Sequence, residues 1–190
     1  MRLEITDRLG KLPQSVFIEA GRKAAITIPE SEGWRKCGAV LLFMSMKNEI
    51  DTTPLLHAAF SANKKVFLPL TINKESAENR SGKIQFYRIY ATGFNSSDYL
   101  KRGPFGILEP DPGKTKILRP ADFPVFILTP GLAFDRNNNR LGRGKGYYDR
   151  FFAEIKELDF TAAGLCLETQ IVQSAPSDGN DYRVDRVYIF

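Results

Sequence analysis

The sequence predicts one α/β domain in which a largely parallel, mixed sheet lies between two layers of helices. Two observations support this. Apolar runs of strand length alternate with helical stretches, and no linker or internal repeat divides the 190 residues. Such alternation is typical of βαβ units, whose sheets are covered on both faces. A chain of this length can bury a core without disulfides or a structural metal. We therefore expect a single domain over residues 1–190.

Helical patterns occupy three stretches of the chain, at about 2–28, 53–63 and 147–156. In the first stretch Pro13 must begin or interrupt a helix, because proline lacks the N–H group that a helix interior needs. The second stretch has Asp51 or Thr52 as its cap and Pro54 in its first turn, which is where proline is tolerated.

Apolar or alternating runs predict the strands 37–43, 65–68, 84–90, 123–128, 160–167 and 184–189. The polar stretch 73–83 and the proline- and glycine-rich stretch 104–112 are expected to be loops. Ligands of parallel α/β sheets gather beyond the carboxyl ends of the strands. The most informative segment of the chain follows the 123–128 strand, so we expect the site there.

Composition excludes several classes of protein. The cysteines Cys37 and Cys166 and the single histidine, His57, are too few for the usual His/Cys zinc frameworks. Cys166 lies in an apolar run and is expected to be a core thiol, and His57 is expected to be an ordinary helix residue. No apolar run can span a bilayer and the N-terminus has no signal-peptide core, so we expect a cytoplasmic protein. The net charge of +5 suits anionic ligands and also permits nonspecific nucleic-acid binding.

The segment that follows the 123–128 strand reads Pro130-Gly-Leu-Ala-Phe-Asp-Arg-Asn-Asn-Asn-Arg-Leu-Gly-Arg-Gly-Lys-Gly-Tyr-Tyr-Asp149. Its alternating glycines let backbone N–H groups approach an anion, and the interleaved arginines and lysine add positive donors. A carboxylate directly afterwards can hold Mg²⁺ that bridges phosphate oxygens. This chemistry indicates a nucleoside triphosphate, although a glycine/arginine-rich loop alone is equally consistent with a solvated turn.

The whole string is more specific, and it resembles the signature of the 5-formyltetrahydrofolate cyclo-ligase family, approximately P-G-x-x-F-D-x-x-G-x-R-L-G-x-G-x-G-Y-Y-D. The clear departure is Asn138, where the family usually has glycine. Asparagine tolerates a left-handed turn, so we expect this turn to form. The resemblance also implies a fold similar to the NagB/RpiA/CoA-transferase-like proteins.

The resemblance implies an ATP- and Mg²⁺-dependent enzyme that closes a ring on 5-formyltetrahydrofolate, without a covalent nucleophile. ATP contacts carried over from the family are Arg2, Arg140, Leu141, Gly142, Arg143, Gly144, Lys145, Gly146, Tyr147 and Tyr148. Among them, the residues assigned to catalysis are Arg143, Lys145, Tyr147 and Tyr148. The implied Mg²⁺ ligands are Asp149 and Asp181. Arg2 is carried over without the lysine that precedes the corresponding arginine in the family.

Two further segments resemble the folate pocket of the family and imply substrate contacts at Met44, Met46, Glu49 and Phe105. Phe105 stands where tryptophan is frequent. Thioethers pack adaptably on aromatic rings, and a carboxylate accepts hydrogen bonds from the N–H edge of a pterin. Without the resemblance, Met44 and Met46 would be assigned to the core and Glu49 to a helix N-terminus.

The last segments with family resemblance lie near the C-terminus. Glu168 and Gln170 resemble a segment close to the nucleotide, and Asp185 is either a helper of the metal site or a strand-flanking charge. We expect a monomer that binds 5-formyltetrahydrofolate and ATP, with no membrane and no specific nucleic-acid partner. Two alternatives stay open: a homologue that binds folate or nucleotide without catalysis, and a basic nucleic-acid binder.

Overall fold

The computed structural model describes residues 1–72, 82–92, 99–103 and 106–190. The α-helices in these ranges are α1 (Arg2–Gly10), α2 (Gln14–Thr27), α3 (Glu32–Lys36), α4 (Thr53–Ser61) and α5 (Tyr147–Ile155). The strands are β1 (Ala39–Leu41), β2 (Lys65–Ile72), β3 (Lys83–Ile89), β4 (Leu100–Arg102), β5 (Leu108–Pro110), β6 (Val125–Thr129), β7 (Ala133–Asp135), β8 (Arg140–Leu141), β9 (Phe160–Cys166), β10 (Ile171–Val172) and β11 (Arg186–Ile189). Among the helices of these ranges, none is long and apolar enough to cross a membrane.

In the described ranges the central sheet has six strands in the order β11-β9-β6-β1-β2-β3. Neighbouring strands are parallel except at the edge, where β2 and β3 run antiparallel. The predicted α/β class with a largely parallel sheet is confirmed. A smaller three-stranded sheet, β10-β7-β8, lies in the segment that follows β6.

Both faces of the central sheet are buried, because successive side chains of a strand point to opposite faces. Val40 and Phe126 join the core that also contains apolar side chains of α1, α2 and α4. Their strand neighbours Leu41 and Ile127 join the second core, which contains Phe152 of α5. The short apolar strands of the sequence are therefore covered by helices on both sides.

The predicted helix boundaries are confirmed where local chemistry sets them. Pro13 has an extended backbone and is the N-cap residue of α2, so it separates α2 from α1. At the start of α4 the carboxylate of Asp51 accepts a hydrogen bond from the backbone N–H of Thr53 at 2.9 Å. Thr52 occupies the N-cap position, but its hydroxyl donates to the carbonyl of Phe43 at 2.5 Å instead. This bond ties the start of α4 to the end of β1.

One segment expected to be a loop contains a strand, and one hairpin was not predicted. Within 104–112, β5 pairs antiparallel with β4, so the prediction of a loop throughout is wrong. Residues 133–141 form the β7–β8 hairpin, whose turn contains Asn138 at φ +64°, as its sequence predicted. The buried carboxylate of Asp135 closes this turn by accepting hydrogen bonds from the backbone N–H groups of Asn137 and Asn139 at 2.9 and 3.0 Å. The predicted loop 73–83 lies mostly outside the described residues.

Candidate functional site

A cavity of about 570 Å³ opens at the carboxyl ends of β1 and β6, where the topology predicts a ligand site. Its lining includes residues 140–149 of the glycine-rich segment, together with Arg2, Asp178 and Asp181. The lining also includes a largely apolar set of residues, called the apolar side below: Phe43, Met44, Met46, Pro69, Ile84 and Ile107, with the carboxyl groups of Glu49 and Glu109. The cavity is large enough for a drug-sized ligand.

The glycine-rich loop lies between β8 and α5. Gly144 has φ +90° and Gly146 has φ +62°, a region that side-chain-bearing residues rarely adopt. Gly146 is the N-cap residue of α5 and has no side chain with which to cap this helix end. The first N–H groups of a helix and its dipole make such an end favourable for an anion. Both glycines line the cavity, so the loop has the geometry of an anion site.

Arg140 is the buried cation of this loop. Its side chain is 5% exposed, and its Nη2 atom donates to the Oδ1 atom of Asp149 at 2.6 Å. The same guanidinium lies over the ring of Tyr148, 5.6 Å from its centroid. The Oδ1 atom of Asp149 also accepts the backbone N–H of Tyr182 at 3.3 Å. The predicted phosphate ligand Arg140 and the predicted metal ligand Asp149 therefore form an ion pair at the cavity wall.

Arg143 and Lys145 are the exposed cations of the loop. The Nη2 atom of Arg143 donates to the Oε1 atom of Glu49 at 2.9 Å, and the Oε2 atom of Glu49 accepts the backbone N–H of Met46 at 2.9 Å. Among the described residues, no hydrogen-bond or ion-pair partner of the Lys145 ammonium group is found. Arg2 reaches the loop from α1, with its Nε atom 3.0 Å from the carbonyl oxygen of Gly142.

The two predicted metal ligands line the same cavity. Asp181 is exposed, and its Oδ2 atom accepts the backbone N–H of Asp178 at 2.8 Å. Asp178 also lines the cavity and escaped prediction from the sequence. Across the described residues there is no group of three or more histidine, cysteine, aspartate or glutamate side chains that could hold a metal ion.

The two tyrosines at the start of α5 differ in their surroundings. The hydroxyl of Tyr148 is buried and has no hydrogen-bond partner among the described residues. Burial raises the pKa of Tyr148 well above its usual value, which keeps this hydroxyl protonated. Tyr147 lines the cavity and lies under the guanidinium of Arg150, 5.5 Å from the ring centroid.

Of the four predicted folate contacts, Met44, Met46 and Glu49 line the cavity, and Phe105 lies outside the described residues. The missed residue on this side is Glu109 of β5, which is 9% exposed. Burial raises the pKa of Glu109, and the charge of Lys101 only partly opposes this. Glu109 belongs to the same glycine- and proline-rich segment as Phe105, but a single glutamate there gives no signal of burial.

Several residues with family resemblance do not line the cavity. Gln170 is buried behind the loop, where its Nε2 atom donates to the carbonyl of Gly131 at 2.9 Å. Asp185 accepts the backbone N–H of Ala162 at 2.7 Å and so flanks β9, as one of its two sequence interpretations proposed. Glu168 is exposed, and so is His57 on α4. Cys166 is buried, and burial raises its pKa to about 12.

Comparison with known proteins identifies the family of the chain. The chain matches the 5-formyltetrahydrofolate cyclo-ligase family over residues 1–189. It is 29% identical over 196 aligned residues to the probable 5-formyltetrahydrofolate cyclo-ligase of Schizosaccharomyces pombe, with 97% of this chain and 91% of the relative covered. It is 26% identical over 192 residues to the 5-formyltetrahydrofolate cyclo-ligase of Mus musculus, with 98% and 90% covered.

Solved structures give the same result. The fold superposes on the NMR structure of the Aquifex aeolicus 5,10-methenyltetrahydrofolate synthetase with a TM-score of 0.74 at 28% identity, covering 99% of this chain and 87% of that one. The fold of the Mycoplasma pneumoniae 5,10-methenyltetrahydrofolate synthetase is also similar, with a TM-score of 0.68 at 18% identity. Because the family match extends over nearly the whole chain, the protein belongs to the 5-formyltetrahydrofolate cyclo-ligase family.

Proposed function

We propose that this protein is a 5-formyltetrahydrofolate cyclo-ligase that uses ATP and Mg²⁺ to form 5,10-methenyltetrahydrofolate, ADP and phosphate. One observation carries the proposal: a single cavity brings together a basic glycine loop, carboxylates and an apolar wall. These are the parts needed to hold a triphosphate beside a flat organic ring.

The chemical obstacle is the formyl oxygen, which is a poor leaving group. In the proposed reaction the bond between the γ-phosphorus and the β–γ bridging oxygen breaks, and the formyl oxygen bonds to that phosphorus. The N10 lone pair then attacks the formyl carbon, the N10 proton is lost, and the carbon–oxygen bond breaks with phosphate as leaving group. Phosphoryl transfer depends mainly on positioning and electrostatic stabilisation, so the protein needs no covalent nucleophile.

The phosphate end of the cavity is assigned to the glycine loop. Lys145 is exposed to the cavity as a mobile point charge, and Arg143 offers a planar fork on the same loop. The backbone N–H groups around Gly144 and Gly146 add neutral donors at the start of α5. Arg140 is largely buried in the cavity wall and paired with Asp149, so its assigned contribution to the phosphates is a fixed positive charge. Arg2 approaches the loop from α1 and extends the positive surface.

The carboxylates of Asp149 and Asp181 are assigned to Mg²⁺. Both are hard oxygen donors on one cavity. Mg²⁺ is commonly bound through one or two carboxylates with waters and substrate phosphates, so this donor set fits although no preformed cluster of three is found in the described ranges. The bound ion would neutralise charge on the phosphate oxygens.

The apolar side of the cavity is assigned to the folate. Met44 and Met46 are half-buried and present thioethers that can pack on a flat ring. Glu49 lies between the two ends, because Arg143 of the phosphate side is bonded to it. Tyr148 lines the cavity, and its buried, protonated hydroxyl is unpaired within the described residues, so we assign this donor to a substrate oxygen. Phe105 remains assigned to this side by family resemblance alone.

The direct test is incubation of the purified protein with ATP, Mg²⁺ and 5-formyltetrahydrofolate, followed by absorbance of the methenyl product. We expect product only when all three are present, and a strong loss of rate with the Lys145→Met variant. A folded protein that binds both organic ligands by calorimetry but forms no product would contradict the proposal and support a non-catalytic homologue.

A further inference from the structure

The segment 176–183 carries Asp181 and lies on the surface of the protein. Each of its residues is exposed except Tyr182, which is half-buried, whereas the flanking residues Ala175 and Val184 are buried. Asp181 bonds to the backbone of the same segment, so this bond shapes the segment without fixing it to the rest of the fold. Tyr182 is therefore the side chain that can anchor the segment between its two buried ends.

The ring of Tyr182 packs on aromatic side chains of the second core. It is stacked on the ring of Phe152, with the centroids 4.0 Å apart and the planes inclined by 22°, and it lies 5.7 Å from the ring of Phe160. Phe152 is 1% exposed and belongs to α5. Aromatic pairs bury a large apolar area in a specific geometry. The fully buried ring of Phe152 thus gives Tyr182 a fixed surface on which to pack.

Tyr182 also contacts the other assigned metal ligand. Asp149 and Phe152 are three positions apart in α5, and side chains at this spacing lie on the same face of a helix. The ring of Tyr182 packs on Phe152, and its backbone N–H donates to the Oδ1 atom of Asp149 at 3.3 Å. Asp181 is the preceding residue of the chain, and both carboxylates line the cavity. One residue therefore joins the segment of Asp181 to the helix of Asp149.

We propose that Tyr182 is a positioning residue, whose stacked ring holds the segment 176–183 on α5 so that Asp181 and Asp149 can bind the same cation. The inference rests on the proposed function, in which these two carboxylates hold Mg²⁺. A ligand on an exposed segment must be ordered before it can bind, and an anchor lowers this entropic cost in advance. Residues that orient metal ligands contribute to metal affinity without touching the ion.

The test measures the affinity for ADP by calorimetry across a range of Mg²⁺ concentrations. In the wild type this affinity should rise with Mg²⁺. Tyr182→Ala should need about 10- to 100-fold more Mg²⁺ for the same rise, the usual effect of losing a residue that orients metal ligands. The affinity for ADP in EDTA should stay nearly unchanged. Tyr182→Phe should restore the wild-type Mg²⁺ requirement, because it keeps the ring that stacks on Phe152.

Phe160→Ala is the matched control. Phe160 is half-buried and packs on the same Phe152 ring at 5.7 Å, but it lies in β9 rather than in the segment 176–183. Both alanine variants should lower the melting temperature, whereas only Tyr182→Ala should raise the Mg²⁺ requirement. In turnover, Tyr182→Ala should regain most of its kcat at saturating Mg²⁺, with an unchanged affinity for 5-formyltetrahydrofolate.

An unchanged Mg²⁺ requirement in Tyr182→Ala, or an equal rise in Phe160→Ala, would overturn the inference. The same holds if Tyr182→Phe fails to restore the wild-type requirement, or if the wild-type affinity for ADP does not respond to Mg²⁺. Should Tyr182→Ala fail to fold, Tyr182→Leu keeps an apolar contact without the stacked ring and is judged by the same comparison. Failure of the proposed function is distinct, because the wild type would then bind ADP in a Mg²⁺-dependent way but form no methenyl product.

Discussion

The Nη2 atom of Arg143 lies 2.9 Å from the Oε1 atom of Glu49 and links the glycine loop to the segment after β1, 94 positions earlier in the chain. The Arg143 side chain is 47% exposed and the Glu49 side chain 14%. The residue assigned to phosphate and the residue assigned to folate therefore form one ion pair at the junction of their sites. An ion pair placed in this way can transmit the occupancy of one site to the other.

The first prediction is that Glu49→Gln and Arg143→Met act non-additively on turnover. From sequence alone, Glu49→Gln is expected to weaken folate binding and to leave nucleotide binding little changed. The ion pair predicts a smaller, additional loss of ATP affinity, because Arg143 loses the carboxylate that orients it. A double-mutant cycle on kcat/KM should give a coupling of about 0.5–3 kcal/mol, as contacting residues do. Additivity of the two losses would show that the pair plays no part in turnover.

The second prediction concerns Asp149. Asp149→Asn should abolish most turnover because the proposed Mg²⁺ site loses a charge. It should also destabilise the fold by about 1–3 kcal/mol, because the buried guanidinium of Arg140 loses its charged partner. Sequence reasoning expects the fold to stay nearly intact, and the ion pair changes that expectation. Thermal unfolding should show a melting temperature lower by about 2–12 °C.

The matched control is Asp181→Asn, which removes the other assigned metal ligand. Asp181 is exposed and accepts a hydrogen bond only from the backbone of Asp178 among the described residues. This variant should lose activity across a magnesium titration with little change in melting temperature. If Asp149→Asn behaved like Asp181→Asn in the unfolding measurement, the ion pair with Arg140 would contribute nothing to stability.

The sheet and its main helices could be predicted because their signals are local. The run Val125–Thr129 is apolar at nearly every position, as expected for a strand buried on both faces. The turn at Asn138 was predicted but the β7–β8 hairpin was not, because its strands are only three and two residues long. Asp135 accepts the backbone N–H of Ala175 at 3.0 Å in addition to its bonds within the turn. The residues near Asp135 in the sequence do not indicate that it bonds to Ala175, forty positions later.

The sequence predicted most residues of the candidate site but not the ion pairs that join them. The glycine loop is contiguous in sequence, so its motif could be read directly. The bonds between Arg143 and Glu49 and between Arg140 and Asp149 depend on side-chain direction, which the motif does not encode. Glu109 escaped notice because its burial arises from the packing of the β4–β5 hairpin against the central sheet. Sequence patterns seldom show that a charged side chain such as Glu109 is buried, because its burial depends on tertiary packing.

The third prediction uses the pH dependence of Asp135. Burial raises the pKa of this carboxyl, but hydrogen bonds from the Asn139 side chain and from the backbone of Ala175, Asn139 and Asn137 outweigh it and hold the pKa below its usual value. A group whose pKa is depressed in the folded state stabilises the protein above its unfolded-state pKa, and that stabilisation is lost as the pH falls through its folded-state pKa. Asp135 should therefore stabilise the fold above about pH 4 and lose this effect in more acidic solution.

Unfolding measurements on the wild type and Asp135→Asn should show this pattern. Near neutral pH the variant should be less stable by about 1.5–3 kcal/mol, the range for hydrogen bonds to a charged group. The difference should shrink as the pH falls below about 4. Asp111→Asn is a suitable control, because Asp111 is only half-buried and its side chain accepts the backbone N–H of Gly113 in a surface turn. A constant difference across the pH range would contradict the assignment of the effect to ionised Asp135.

The last prediction concerns Lys145 and separates the enzyme from a nucleic-acid binder. Lys145 is exposed on the cavity, so Lys145→Met should leave stability unchanged while lowering kcat by about 10²–10³, the cost of losing one stabiliser of transition-state charge. Lys145→Arg should rescue this only in part, because a planar fork does not reproduce a mobile point charge. If the loop instead bound polynucleotide, Lys145→Arg should leave the binding affinity nearly unchanged. Lys145→Met should then reduce the slope of log affinity against log salt concentration by about one unit. Single-turnover kinetics and a salt titration of polynucleotide binding on the same variants distinguish the two functions. Unchanged turnover together with a reduced salt slope would refute the cyclo-ligase assignment of this loop.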